Sequence, residues 1–497
     1  MCIINIYKVA FYMLNNIFFL FMPYSILFLT ILISIICISI KRNHKLSFFI
    51  TILGLIISLI TSTCINNNNI PANISNLFKI TQISLIINNI ILCTTIIICM
   101  FSYTWLHQNI FKKEEFYILL LLSTLGCLML NISSNMISLF VATELISIPF
   151  CGLLACNTHK KNLIESSWKY IIFSTISSSI LLLGITLIYS IIGEFHFKEI
   201  QQMITFNSHK EELIVISGFF IIFISILLKL SIFPFYFLTP DLYESIPMPS
   251  LMYYSTSFKT TFLFIIIKLY LLLINVKLHF LILILKTLSF FSITIGSSLA
   301  IFQKNIKRLL GYASISHFGY LLIPFILLKS DTYTFSIESI LLYIIGYTLS
   351  NIIIFGTICV IEKDQKNKSE KNLYSYSGLF WKYPLLTIAF TIALLSSAGI
   401  PFTIGFINKI FIFLLAINNQ SWWLTIGTIF GTVISLYYYI RIIKTLFIKN
   451  KEKSNTFTNS KNKKTNYIIY SSQSIICFFS LMIIILGIYP QILINLL

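Results

Sequence analysis

Long apolar runs separated by short polar segments fill almost the whole chain, and their lengths predict its architecture. Most runs have 18 or more residues, enough for a helix to cross about 30 Å of hydrocarbon. A segment inside a bilayer must satisfy its own backbone hydrogen bonds, so each run is predicted to be helical. The runs lie near 17–40, 46–64, 80–105, 116–132, 135–156, 168–192, 212–232, 250–274, 280–302, 307–328, 334–361, 384–416, 422–447 and 468–495. The pattern predicts an all-α polytopic membrane protein with about fourteen transmembrane helices.

Proline interrupts two of these runs close to a lysine. In the first run Lys229 is followed by Pro234, and in the second Pro401 is followed by Lys409. Proline removes a backbone donor and clashes with the preceding turn, so both helices should be broken. Irregular backbone at membrane depth survives only where it packs in protein or faces a wet cavity. Two interrupted helices in different halves of a chain indicate an architecture of inverted repeats.

Composition and charge agree with a membrane protein. Hydrophobic residues make up 57% of the chain and charged residues 10%, whereas soluble proteins carry about 25% charged residues. The formal net charge of +19 could indicate nucleic-acid binding, but Lys and Arg are concentrated in the short segments between apolar runs. Alternate segments hold most of them, and membrane proteins keep such basic loops inside. The sequence therefore predicts contact with the lipid bilayer, no nucleic-acid partner, and both termini on the periplasmic or outer side.

The sequence lacks the patterns that usually hold redox groups. Ten cysteines are scattered through the apolar runs without a C-x-x-C pair, and such cysteines are most often small buried apolar residues. No G-x-G-x-x-G loop follows a strand, so the pattern of a dinucleotide site is missing. We therefore expect no cofactor and no metal in this chain.

Four ionisable residues fall deep inside the predicted spans: Glu144, Lys229, Lys259 and Lys409. A charge at that depth costs several kcal/mol and marks a functional site by default. Glu144 is the one carboxylate deep in a span, and Lys229 is its expected partner. Burial lowers the pKa of a lysine and a nearby carboxylate raises it again, so a changing contact could load and release a proton. A purely structural ion pair is the alternative.

Three further features have both a functional and a structural interpretation. His317 lies within a span, where imidazole could relay protons or simply bond a backbone carbonyl. Glu165 and Lys169 are one helical turn apart, which is also the spacing of an ordinary surface pair. Lys268 lies nearer a span end and is expected to snorkel to the interface.

Several stretches resemble one family, the antiporter-like membrane subunits of respiratory NADH:quinone oxidoreductase (complex I). The resemblance covers roughly residues 116–445. It is specific because four separate motifs occur in the family's order and spacing. These stretches are 140–146, 229–244, 305–317 and 399–409.

The resemblance implies fourteen core helices, two inverted five-helix repeats and a proton pathway whose residues can be assigned by motif. The implied pathway consists of Glu144, its paired Lys229, the connecting Lys259 and Lys307, the relay His317 and the exit-side Lys409. Glu165 and Lys169 match a secondary pair. One position departs from the family: Tyr236 stands where a histidine is usual, and tyrosine does not titrate near neutrality.

The resemblance also implies a division of the chain and a setting for it. Residues 1–115 would form three N-terminal transmembrane helices, 116–274 and 275–447 the two repeats, and 448–497 a basic loop with the last helix. Other membrane subunits of complex I would be partners, and other subunits would bind NADH, FMN, iron–sulfur clusters and quinone. The bacterial inner membrane is expected, with the mitochondrial inner membrane as the alternative. Two other functions stay open: a subunit of a multi-subunit cation/proton antiporter, and a structural spacer.

Overall fold

A computed structural model of the chain describes nearly all of the apolar runs. The described residues are 2–66, 73–107, 113–156, 161–203, 209–273, 279–328, 333–364, 372–449 and 463–494. The basic segment that the sequence predicts near 448–464 lies mostly outside them. The chain divides into two compact units: unit 1 consists of Met1–Ile226 and Ser257–Lys277, and unit 2 of Leu227–Thr256 and Leu278–Leu497.

Unit 1 is built from helices and one small antiparallel sheet. Its helices are Cys2–Ile40, His44–Asn66, Gln82–Leu106, Lys113–Ile132, Met136–Leu154, Lys161–Ile192, Phe197–Met203, most of His209–Leu230, and Lys259–Leu273. The sheet pairs Asn73–Ser75 with Phe78–Lys79. The first helix begins at Cys2, well before the apolar run that predicts it.

Helices joined by short irregular segments make up the described residues of unit 2. Its α-helices are Leu238–Ser245, Met248–Tyr253, His279–Ile301, Ile306–Ile326, Tyr333–Asp364, Leu379–Lys382, Pro384–Ala398, Ile404–Asn418, Trp422–Phe447, Lys463–Ile488 and Gln491–Ile494. A 3₁₀-helix spans Leu373–Tyr376. Ile306–Ile326 is the most completely buried of the described helices that are long enough to span a membrane.

The membrane architecture predicted from the sequence is confirmed. Among the described residues, twelve helices are long and apolar enough to cross a bilayer. Two shorter apolar helices, Pro384–Ala398 and Ile404–Asn418, occupy the run predicted as one interrupted span. The apolar part of the last long helix, Ser472–Ile488, supplies the remaining crossing.

Both predicted helix breaks are present. The helix His209–Leu230 ends immediately after Lys229, and Ser231 adopts a left-handed backbone with φ 58°. At the second break Pro384–Ala398 ends at Gly399, whose φ is 85°, and the next helix starts at Ile404. Few residues other than glycine adopt this conformation cheaply. Each break therefore turns the chain sharply beside a lysine.

One irregularity was not predicted. A π-helical turn, Tyr254–Phe258, lies between Met248–Tyr253 and Lys259–Leu273. Such turns are rare within α-helices and are frequent at functional sites. Lys259, one of the predicted pathway residues, is the first residue after this turn.

Candidate functional site

Lys229 lies in the last turn of its helix, directly before the first break. Its side chain is buried, with 8% of the residue exposed. The helix ends at Leu230, so Lys229 lies where the partial negative charge of the helix C-terminus is concentrated. This end of a helix favours a cation, which reduces the cost of burying the ammonium group.

Lys409 is held at the second break by contacts with three other helices. Its ammonium group donates to the carbonyl oxygen of Ala398 at 2.7 Å and to the Ser435 hydroxyl at 3.2 Å. It also lies 5.4 Å from the centre of the Tyr320 ring, within range of a cation–π attraction. Ala398 is the last residue of the preceding half-helix, so this ammonium too binds a helix C-terminus.

His317 is buried between two tyrosines. Its Nδ1 lies 2.8 Å from the Tyr343 hydroxyl and its Nε2 lies 3.1 Å from the Tyr439 hydroxyl. A neutral imidazole donates from one nitrogen and accepts at the other, and hydroxyls can take either role. The donor and acceptor roles in the two hydrogen bonds can therefore be exchanged at the same time. This is the property that a proton relay requires.

A small cavity connects the surroundings of His317 and Lys409. Its volume is about 20 Å³, which is room for roughly one water molecule. The buried Asn408 amide oxygen has no hydrogen-bond partner among the described residues. The lining residues are His317, Tyr343, Gly346, Tyr347, Ser350, Ser396, Ser397, Gly405, Asn408 and Lys409. One water molecule there could carry a proton between the imidazole and the lysine.

Glu144 occupies the middle of Met136–Leu154 in unit 1. The Ser147 hydroxyl donates to its Oε2 at 3.1 Å. Its Oε1 is buried and has no hydrogen-bond partner among the described residues. A buried carboxylate with so few donors gains strongly from a nearby cation. Because Glu144 and Lys229 belong to different units, their pairing stays a prediction.

The other predicted residues of unit 1 differ sharply in their exposure. Lys259 is completely buried. Glu165 and Lys169 form an ion pair at 2.8 Å, but their side chains are 65% and 42% exposed. Surface pairs of this kind contribute about 0–1 kcal/mol. Their geometry is that of an ordinary i,i+4 pair.

Lys268, which the sequence leads us to expect near the interface, binds the end of another helix. Its ammonium donates to the carbonyl oxygen of Asn131, and to that of Ser133 at 3.2 Å. These carbonyls belong to the C-terminal end of Lys113–Ile132 and the residue after it, where helix carbonyls lack internal partners. The side chain therefore turns inward to cap another helix.

Lys307 and its neighbour Arg308 form ion pairs that the sequence did not predict. The Lys307 ammonium lies 2.9 Å from Oε1 of Glu362. Arg308 bonds Asp241 at 2.7 Å and Glu244 at 3.2 Å. The apolar run predicted at 334–361 stops just before Glu362, whereas the helix Tyr333–Asp364 continues past it. The sequence could have marked the acidic residues at 241 and 244 as candidates, because both lie in the stretch 229–244 that carries the family resemblance.

Tyr236 lies in the irregular segment after Pro234. Its ring stacks on Phe237, with centroids 4.4 Å apart, and on Phe233 at 6.1 Å. The Tyr236 side chain is half-buried. These contacts fix an aromatic group at the position where the family has histidine.

The described residues contain no group of three His, Cys, Asp or Glu side chains that could hold a metal ion. The predicted absence of metal and cofactor from the chain stays a prediction. The chemistry that the described site can perform is proton transfer among lysine, histidine, tyrosine and water.

Solved structures share this fold across almost the whole chain. Respiratory complex I from Thermus thermophilus matches with TM-score 0.77 and 20% identity, covering 95% of this chain and 98% of that chain. An archaeal membrane-bound sulfane sulfur reductase matches with TM-score 0.83 and 18% identity, covering 95% of both. The Mrp complex from Dietzia sp. DQ12-45-1b matches with TM-score 0.82 and 15% identity, covering 96% of both. At these identities the matches show the fold alone.

Sequence comparison defines the class. Residues 133–435 match the family described as NADH:quinone oxidoreductase/Mrp antiporter, transmembrane, and the chain belongs to that family. Two curated relatives, from Buchnera aphidicola of Acyrthosiphon pisum (strain APS) and of Schizaphis graminum (strain Sg), are each 40% identical. The matches cover 96% of this chain and 97% of each relative. Both relatives are named NADH-quinone oxidoreductase subunit N, so within the family the chain groups with subunit N.

Proposed function

We propose that this chain is a proton-translocating membrane subunit of NADH:quinone oxidoreductase, driven by quinone reduction elsewhere in the complex. The observation that carries the proposal is the cluster of His317 and Lys409 around one small cavity. Its groups bind protons reversibly, and the cavity between them has room for about one water molecule. A structural spacer needs no such cluster in its interior.

The proposed pathway uses the buried ionisable residues of both units. The lysines provide charge at helix ends, His317 provides a reversible relay, and Glu144 sets the charge balance of unit 1. The pathway residues are Glu144, Lys229, Lys259, Lys307, His317 and Lys409. Glu165 and Lys169 have at most a secondary part, because both are largely exposed. At Tyr236 a water molecule takes the role of the family's histidine.

The proposed setting follows from the relatives named subunit N. Other membrane subunits of complex I are the partners, and lipid covers the remaining apolar surface. NADH, FMN, iron–sulfur clusters and quinone bind to other subunits. The chain lies in the bacterial inner membrane with both termini on the periplasmic side. Residues 1–115 form three N-terminal transmembrane helices. Two repeats related by inversion follow, at 116–274 and 275–447. Residues 448–497 form a basic loop and the last helix.

An Mrp-type cation/proton antiporter is the second candidate, because the Mrp fold matches as well as that of complex I. The 40% identity to subunit N over nearly the full chain favours the first proposal. Purification distinguishes the two. A complex I subunit co-purifies with an NADH-oxidising arm, and an antiporter subunit exchanges cations for protons without NADH.

The proposal predicts how substitutions of Glu144 affect proton uptake. Removing one member of a buried charge pair leaves the other uncompensated, at about 3–5 kcal/mol. Glu144→Gln should therefore lower NADH-driven proton uptake into vesicles, normalised to assembled complex. Glu144→Asp keeps a titratable carboxylate and should retain more activity. Equal, near-normal rates in both variants would favour the spacer.

A further inference from the structure

The ion pair between Lys307 and Glu362 joins a buried charge to one that reaches water. The two side chains meet at 2.9 Å, yet that of Lys307 is 3% exposed and that of Glu362 is 31% exposed. Water can therefore exchange protons with the carboxylate. The lysine exchanges only through its partner or through the interior of unit 2.

Neither charge stabilises the helix that carries it. Lys307 is the second residue of Ile306–Ile326, at the helix end with partial positive charge. Glu362 is the third-last residue of Tyr333–Asp364, at the helix end where the partial charge is negative. Helix stability thus does not account for either position. Each charge depends on the other, and the loss of one leaves the other in an unfavourable field.

The groups around the pair do not compete for its proton. Tyr376 is buried, and burial raises the pKa of its phenol well above the usual range, with the Glu362 charge raising it further. It therefore stays protonated. Arg308, next to Lys307, is bonded to Asp241 and Glu244. The backbone N–H of Leu373 donates to the Lys304 carbonyl at 2.9 Å, which holds the segment bearing Tyr376 beside Ile306–Ile326.

We propose that Glu362 is the group through which protons from the adjacent water reach Lys307. A proton from water binds a Glu362 carboxylate oxygen, and the neutral acid no longer balances the Lys307 ammonium. Lys307 then releases its Nζ proton to a water chain that leads toward His317, which is ten residues further along the same helix. Glu362 passes its own proton to the neutral amine, and the ion pair re-forms. One proton has moved inward and each group has its original charge.

The experiment replaces the carboxylate and supplies a diffusible substitute, and it rests on the proposed function. In vesicles with assembled complex, Glu362→Gln should lower coupled NADH:quinone reductase activity about tenfold or more, as loss of an acid–base group does. Formate, a small weak acid, should restore much of the rate, because it can approach the pair from the exposed side of residue 362 and carry protons in place of the lost carboxylate. Glu362→Asp should have intermediate activity without formate. Glu244→Gln removes a carboxylate of similar exposure from the Arg308 cluster, and should be near wild type and insensitive to formate.

Two results would overturn the role of Glu362. One is a normal rate in Glu362→Gln. The other is a slow Glu362→Gln that formate does not help but a second substitution, Lys307→Met, restores, since the pair would then only balance charge. Failure of the wild-type complex to move protons would instead refute the proposed function. The two failures are therefore distinguishable.

Discussion

The two helix breaks of unit 2 bring a lysine to the same electrostatic position by different routes. At the first break Lys229 precedes the interruption and lies in the last turn of its own helix. At the second Lys409 follows the interruption, and its ammonium reaches back to the Ala398 carbonyl at 2.7 Å. A helix C-terminus carries partial negative charge in both cases. The common feature is a cation at a helix end, which sequence order alone does not reveal.

The residues that turn the chain also differ between the breaks. The first uses Ser231 with φ 58°, and the second uses Gly399 with φ 85°. A Cβ atom added at Gly399 would lie 2.7 Å from Cδ of Lys409, closer than atoms pack. Glycine at the second break thus provides both the backbone conformation and the space for the returning lysine.

The largest expected effect comes from Lys409. Lys409→Ala removes the proton-binding group, and Lys409→Arg keeps the charge but effectively cannot release a proton. Both should lower coupled quinone reductase activity about tenfold or more. Lys382→Ala, at an exposed position, is the control and should be normal. If Lys409→Arg retains full activity, charge at the helix end is sufficient and the lysine is not a proton carrier.

A smaller effect is expected from Gly399→Ala. The added methyl group costs about 1–2 kcal/mol of backbone strain and displaces the Lys409 side chain, so stability and activity should both fall. Gly193→Ala is a matched control: its φ is 74° and nothing lies within 4 Å of the added Cβ. It should lower the thermal stability of the complex and leave activity unchanged. Equal activities for the two variants would show that the space at Gly399 is not used by Lys409.

The smallest effect is expected from Ser231→Gly. Glycine relieves the backbone strain of the left-handed conformation at residue 231. It also loses about 0.5–1 kcal/mol more conformational entropy on folding. The gain from relieved strain and the loss of entropy nearly cancel. Thermal stability and quinone reductase activity should stay close to wild type. A loss as large as that of Gly399→Ala would mean that the Ser231 hydroxyl takes part in the pathway, and the two breaks would differ in chemistry.

The architecture was predictable because membrane helices are specified by local features. Run length sets the number of spans, and proline beside lysine marked both interruptions. The extent of Tyr333–Asp364 was harder to predict, because the helix continues into the first charged residues after its apolar run. That continuation places Glu362 on the helix and makes it the partner of Lys307.

The cluster around His317 shows why sites are harder to predict than spans. The sequence marks His317 as ionisable and buried, but its partners Tyr343 and Tyr439 are 26 and 122 residues away. Tyrosine is common in this chain, so nothing in the sequence distinguishes these two. Lys268 likewise has partners that the sequence does not mark: its ammonium group binds the carbonyls of Asn131 and Ser133 at the end of another helix.

NADH-driven proton uptake into vesicles that carry Lys229→Ala or Lys229→Arg tests the central claim most directly. Both variants occupy the first break, and uptake is normalised to assembled complex. We expect strongly reduced uptake in both, because alanine cannot bind a proton and arginine effectively cannot release one. Near-normal uptake in both would exclude Lys229 from the pathway and contradict the account of charged helix ends as proton carriers.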